Sequence, residues 1–178
     1  MMDVAVLKSQ IKTDSIPRFL IFAGEEWKVQ QIYIDQICKV TKKERVYADS
    51  FAEIYPALKR NSLMADSKVY VVRDDKDIMQ NEAVQKQIES GLMKDNILIL
   101  LLTAIDKRTR FYKRYNASII DFERLSDAVL KKYTLNALKL SERSVVRLID
   151  VCEHDYGRIL LEIDKIKRYA DARSLERY

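Results

Sequence analysis

The feature that most constrains the fold is a set of short, almost wholly apolar runs. The strongest is residues 96–103, whose six central positions are all Ile or Leu, and residues 19–24 form a similar run between Arg18 and Glu25. A strand with one face in water alternates apolar and polar residues, whereas a strand covered on both faces does not. These two runs therefore predict buried strands of a parallel sheet.

Further strands are predicted at residues 45–48, 68–73 and 117–122. Helical patterns lie between the strands. The first helix follows Gly24 and is predicted to bury Val29, Ile32, Ile37 and Val40, with Gln30, Gln31 and Lys39 off that face; the others cover residues 51–60, 77–92 and 108–115. Strands alternating with helices predict an α/β fold with a five-stranded parallel sheet covered on both faces.

After Leu125 the pattern changes, because three helical segments follow with no strand between them. They cover residues 127–138, 142–153 and 158–170, and Ser126 and Ser141 are expected to cap the first two. We therefore predict two domains: an α/β domain at residues 1–125 and a small three-helix domain at residues 126–178.

The composition is that of an ordinary globular protein. The net charge is +5, from 32 basic and 27 acidic side chains, which permits weak contact with nucleic acid but does not require it. The longest apolar run, residues 97–102, is too short to span a bilayer, so no membrane contact is expected. Cys38 and Cys152 both fall in helical patterns, which indicates free thiols and a cytoplasmic location.

The loop after the first strand reads Gly24-Glu25-Glu26-Trp27-Lys28. A phosphate-binding loop needs several glycines, then Lys and Ser or Thr, so that free backbone N–H groups face the anion. This loop has one glycine and two carboxylates that would repel phosphate. An active ATPase is not expected, and no nucleotide, metal or other cofactor is predicted.

Other polar residues suggest only structural roles. Cys152 and His154 are two positions apart and would point to different faces of a helix, so they do not form a nucleophile–base pair. Asp74, Asp75 and Asp77 follow the third strand. We expect them to stabilise the start of the next helix, and a metal site is the alternative.

A basic segment precedes the last strand. Residues 107–115 carry five cations among three aromatic side chains, the cations being Lys107, Arg108, Arg110, Lys113 and Arg114. In one interpretation, Phe111 and Tyr115 pack on the sheet and the basic face lies in water. In the other, that face contacts DNA phosphate or an acidic partner.

A second candidate site is Ser62-Leu63-Met64, in the polar connection before the third strand. Neighbouring side chains point in different directions, so two adjacent large apolar residues are hard to bury together. The pair either packs in the core or enters an apolar pocket on another protein.

Taken in order, these motifs resemble the delta subunit of bacterial DNA polymerase III clamp loaders. The resemblance covers the opening strand and loop at residues 19–26, Ser62-Leu63-Met64 with the following strand at residues 68–72, and the segment from Asp106 to Lys113. It extends to residues 157–166, which are similar to the end of the family's helical lid domain.

The resemblance implies a clamp-loader ATPase-like fold with a degenerate nucleotide loop and a three-helix lid. It implies a non-catalytic subunit of the DNA polymerase III holoenzyme that acts in DNA replication. Its partners would be the sliding clamp, which is the polymerase III beta subunit, and the other clamp-loader subunits. The wedge that enters the clamp pocket and opens the ring would be Leu63 and Met64, with Ser62 beside them.

The sequence departs from the family pattern in two places. Met64 stands where the family usually has Phe, which leaves the strength of clamp binding open. Family members also carry a third, helical collar domain, and the sequence ends at Tyr178 before it.

Overall fold

The computed structural model describes residues 2–59 and 67–175, with side chains up to residue 170. The strands are β1 (Phe19–Ala23), β2 (Glu44–Ala48), β3 (Lys68–Arg73), β4 (Ile97–Leu102) and β5 (Ile119–Asp121). The helices are α1 (Val4–Lys12), α2 (Trp27–Thr41), α3 (Phe51–Lys59), α4 (Lys76–Gln80), α5 (Glu82–Gln87), α6 (Arg110–Tyr115), α7 (Asp127–Ala137), α8 (Glu142–Val151) and α9 (Tyr156–Leu175). A π-helical turn (Ile88–Leu92) follows α5, and a 3-10 turn (Asn116–Ser118) follows α6.

The strands form one five-stranded sheet in the order β2-β3-β4-β1-β5. Every neighbouring pair is parallel. All six residues of β4 are buried, in agreement with its uninterrupted apolar sequence. The predicted α/β class and the five-stranded parallel sheet are confirmed.

Each face of the sheet has its own apolar core. On one face, α3, α4, the π-helical turn and α6 contribute buried side chains. On the other face, α1 and α2 do so. Two covered faces explain why the central strands carry no polar alternation.

Three details differ from the sequence prediction. Helix α1 was not predicted. The inner face of α2 was wrong in part, since Gln30, Tyr33, Ile34 and Ile37 are its buried residues, whereas Val40 is 38% exposed. The continuous helix over residues 77–92 was also wrong: Asn81 caps a new helix, and Gly91 interrupts the end with φ +79°.

The chain divides into two compact units, Met1–Glu123 and Arg124–Tyr178. The second unit has its own apolar core on α7, α8 and α9, built around Leu130, Val145, Ile149 and Ile159. Ser141 caps α8, with Oγ 3.2 Å from the Ser144 amide that donates to it. Ser126 precedes α7 as expected but makes no side-chain cap hydrogen bond.

Within residues 2–59 and 67–175, no helix is both long enough and apolar enough to cross a membrane.

Candidate functional site

At the carboxyl edge of the sheet, where the parallel strands end, the chain that follows β5 packs against Gly24. This residue follows β1, and its φ of +118° lies in the region that favours glycine. A Cβ atom there would lie 2.3 Å from the carbonyl oxygen of Phe122. The adjacent amide of Phe122 donates to the carbonyl of Ala23 at 2.6 Å. Gly24 thus allows the chain after β5 to pass directly against the end of β1.

Three backbone amides of the loop after β1 donate to carbonyl groups inside the chain. They donate from Gly24 to the Leu102 carbonyl at 3.0 Å, from Glu26 to the Phe122 carbonyl at 3.2 Å and from Trp27 to the Glu25 carbonyl at 2.8 Å. A phosphate cradle requires such N–H groups to point at the ligand. This geometry supports the expectation that the loop does not hold a nucleotide.

Gln30 adds a side-chain hydrogen bond to the loop, a role that no sequence pattern predicted. Its side-chain amide donates to the Gly24 carbonyl at 2.9 Å. The residue is 3% exposed, although a glutamine in a helix usually lies in water. The hydrogen bond explains why α2 turns this residue inward.

The acidic turn after β3 serves the strand-to-helix connection. Asp75 is buried and accepts from the amides of Asp77 at 2.7 Å and Ile78 at 3.2 Å, as an N-cap does. Asp74 accepts from the amide and the hydroxyl of Thr103, both at 3.1 Å. The predicted role at the helix start is confirmed for Asp75, whereas Asp74 instead joins this turn to the loop after β4. Among the residues the structure describes, no cluster of three or more His, Cys, Asp or Glu could hold a metal ion.

A cavity of about 390 Å³ lies where β2, β3 and β4 end. Val71 and Leu101 line it together with the charged side chains of Asp49, Glu53 and Arg73. Two carboxylates against one guanidinium do not favour a polyphosphate. The charges that line the cavity therefore do not make it an alternative phosphate site to the loop after β1.

Cys152 and His154 form no catalytic pair. Cys152 is buried, and burial raises the pKa of its thiol, which makes it a poor nucleophile. The Nδ1 atom of His154 lies 2.6 Å from an Asp127 carboxylate oxygen. The predicted buried cysteine and helix-end histidine are confirmed.

The basic segment has the aromatic packing of the first interpretation, and contact with DNA or an acidic partner stays a prediction. Phe111 and Tyr115 are buried in the sheet core, 5.0 Å apart between ring centroids. The basic side chains beside them are exposed, and three are paired: Arg108 with Asp106 at 3.0 Å, Arg110 with Glu82 at 3.9 Å and Arg114 with Glu89 at 2.5 Å. The positive face of α6 is consequently partly neutralised by the chain itself.

Arg114 makes the most extensive of these contacts. Its guanidinium donates twice to the Glu89 carboxylate and once to the side-chain oxygen of Gln85. The hydrogen bond from Arg114 holds the pKa of Glu89 below its ordinary value. Burial raises the pKa of the neighbouring Tyr115 phenol. The arrangement ties α6 to α5 and the π-helical turn.

Ser62, Leu63 and Met64 lie outside the described residues. The structure describes the two ends of their segment. Leu58, near the end of α3, is 2% exposed. The amide of Lys68, which begins β3, donates to Asn96 Oδ1 at 2.8 Å. Strand β3 thus begins at the amino edge of the sheet, which is the edge opposite Gly24.

The same edge contains a cluster that sequence analysis missed. Arg18 donates to both the carbonyl and the carboxylate of Asp95 at 3.1 Å, and the Lys43 ammonium contacts that carbonyl. The three residues are far apart in sequence, and each is an ordinary surface type. Only the sheet order brings them together.

These features define the class of protein: an α/β chain with a five-stranded parallel sheet and a closed loop after β1, followed by a compact helical unit. No protein-family model matches the sequence, and no curated protein matches it by sequence. The fold is similar to that of the DNA clamp loader delta protein (YqeN) of Bacillus subtilis, with a TM-score of 0.63 and 15% sequence identity.

The match covers 94% of this chain and 57% of the Bacillus subtilis protein. At this identity the likeness shows a shared fold, and a clamp-loader-like fold is established on that ground. The chain spans little more than half the length of the protein that it resembles.

Proposed function

We propose that this chain is a clamp-loader subunit of the delta type, which binds a DNA sliding clamp and helps to open it during DNA replication. The main support is the clamp-loader-like fold, which matches a clamp loader delta protein over 94% of the chain. The backbone amides of Gly24 and Glu26 form hydrogen bonds within the chain, which fits a subunit that does not itself bind or hydrolyse a nucleotide. We infer no catalytic step in this chain.

The proposed contact is Leu63 and Met64, with Ser62 beside them. The apolar pair would enter a hydrophobic pocket on the clamp, where full burial of each side chain contributes about 1.5–3 kcal/mol. Opening the ring then requires only that the wedge binds the open form better than the closed one. Other clamp-loader subunits are the further partners that this function implies.

The alternative is a nucleic-acid interface on α6, formed by Lys107, Arg108, Arg110, Lys113 and Arg114. This interface is less favoured, because all three of its arginines already face carboxylates. Their positive charge is then less available to phosphate. We therefore propose at most a weak DNA contact by this face.

The decisive experiment is a binding titration with the sliding clamp encoded by the same genome. Replacing both wedge residues, Leu63→Ala with Met64→Ala, should lower the affinity by about a hundredfold or more, because both apolar anchors are lost. The thermal unfolding temperature should change little if the pair is not part of the core.

A matched control replaces two exposed apolar residues of the second unit, Val151→Ala with Leu161→Ala. They are 72% and 63% exposed, and clamp affinity should be unchanged. A wedge variant that binds the clamp as tightly as the wild type would refute the proposal. So would a wild-type chain that does not bind the clamp.

A further inference from the structure

Strand β2 is an open edge of the sheet. It pairs only with β3, from Glu44 opposite Lys68 to Ala48 opposite Val72. Within the described part of the chain, the backbone of residues 44–48 forms main-chain hydrogen bonds only in that ladder. Among the described residues, nothing pairs with the N–H and C=O groups on its outer side, which can therefore template pairing with another strand.

The usual protection of such an edge is weak here. Charged side chains normally guard an exposed strand, but both charges of β2 are balanced within the chain. Glu44 pairs with Lys68 at 3.0 Å, and Arg45 pairs with Asp35. Tyr47 is 53% exposed, and aromatic side chains favour cross-strand contacts.

We propose that β2 pairs with β2 of a second copy of this chain, antiparallel and centred on Val46. The pairing would join two five-stranded sheets across a two-fold axis, as isologous dimers do. This inference does not depend on the proposed clamp-binding function.

The side chains of β2 are compatible with one another in this register. Arg45 lies opposite Tyr47 of the second copy, and this contact occurs twice. Within one chain the Arg45 guanidinium already lies over the Tyr47 ring, 5.1 Å from its centroid. The same cation–π contact can form between Arg45 of one copy and Tyr47 of the other. On the other face Val46 meets its own copy and Glu44 meets Ala48. No like charges are opposed.

Neighbouring registers are less suitable. Centring the pair on Arg45 would place two guanidinium groups opposite each other, which is unfavourable. Centring it on Tyr47 would bring Asp49 into the ladder, but the Asp49 amide already donates to Glu53 Oε2 at 2.9 Å. The Val46 register uses all five residues of β2.

Five residues from each copy make a small contact, so the association should be weak. Interfaces below about 1,200 Å² are typical of transient complexes. We expect the weight-average mass to rise from 20.9 kDa toward twice that value as the concentration increases. Sedimentation velocity from about 10 µM to about 1 mM covers the range of weak dimers.

The test variant is Tyr47→Lys, which places a lysine opposite Arg45 of the second copy and should leave the chain monomeric at every concentration. Tyr169→Lys is the matched control, because Tyr169 is an exposed tyrosine in the second unit, 76% accessible. It should associate like the wild type. Adding Arg45→Glu to Tyr47→Lys should restore association, since Lys then faces Glu.

The register has a separate test in cross-linking under oxidising conditions. Val46→Cys should form a disulfide-linked dimer, because residue 46 meets its own copy, whereas the wild type with Cys38 and Cys152 should not. A wild type that stays monomeric up to about 1 mM overturns the proposal, as this exceeds the weak-dimer range. Association that survives Tyr47→Lys, or that Tyr169→Lys abolishes equally, also overturns it.

Discussion

Gly24 packs closely against the chain that follows β5, at the carboxyl edge of the sheet. Any side chain there would meet the carbonyl oxygen of Phe122 at 2.3 Å, on a backbone with φ +118°. The carbonyl belongs to the chain that follows β5 and also accepts from the Glu26 amide at 3.2 Å, so a shift of the carbonyl would weaken that hydrogen bond. The close packing at Gly24 and the hydrogen bond from the Glu26 amide to the Phe122 carbonyl are two consequences of one arrangement.

We therefore predict that Gly24→Ala lowers the free energy of unfolding by about 2 kcal/mol or more, from the close contact and the backbone strain together. Gly91→Ala is the matched control. Gly91 has φ +79°, but nothing lies within 4 Å of an added Cβ, so only the backbone cost of about 1 kcal/mol applies. Denaturant titration measures both, and equal losses would contradict the packing argument.

At the scale of elements, the strands could be predicted from sequence and the helix faces only in part. Buried strands of a parallel sheet need uninterrupted apolar residues, and residues 97–102 supply them without ambiguity. For α2, a period of 3.6 allows several neighbouring faces. Choosing the face required the hydrogen bond from Gln30 to the Gly24 carbonyl, which depends on the finished fold.

The candidate sites, too, could be predicted only where their chemistry is local in the sequence. Loop chemistry at Gly24 could be predicted because glycine and carboxylate content are local properties. The cluster of Arg18, Lys43 and Asp95 could not, since its members meet only through the order of the strands. The pairing of Arg114 with Glu89 across 25 residues was hidden for the same reason.

The contact between α6 and the π-helical turn predicts a pH dependence of stability. Arg114 lowers the pKa of Glu89 in the folded chain, so near that pKa the unfolded chain binds more protons. The stabilisation is complete above the ordinary glutamate value of about 4.3 and is lost as the pH falls through the folded pKa. In Arg114→Ala the free energy of unfolding should therefore fall less steeply on acidification.

Arg110→Ala is the control for that measurement. Its side chain is 97% exposed and its guanidinium lies 3.9 Å from Glu82, so the contact is weak and screened by water. Its stability profile between about pH 3 and pH 6, which brackets ordinary carboxyl titration, should match the wild type. An unchanged acid slope in Arg114→Ala would show that the Glu89 contact does not contribute.

For the whole molecule, the division into two units has an energetic consequence. The first unit buries two apolar clusters, one on each face of the sheet, and the second unit buries a separate one. The described buried residues of the second unit's cluster lie on α7, α8 and α9 and at the ends of α7 and α8. Small domains bury a low fraction of their surface and are marginally stable. The helical unit is thus expected to be the more sensitive of the two to loss of a core side chain.

Ile159→Ala should test this difference, because Ile159 is fully buried in the helical unit and its truncation costs about 2–5 kcal/mol. That loss is comparable with the whole stability of so small a unit. Amide hydrogen exchange should accelerate throughout α7, α8 and α9, while the amides of β1, β3 and β4 keep their protection. Leu161→Ala, on the same helix but 63% exposed, should leave both units protected. Equal acceleration in the sheet would instead show that the two units unfold as one, and that separate cores do not give separate cooperativity here.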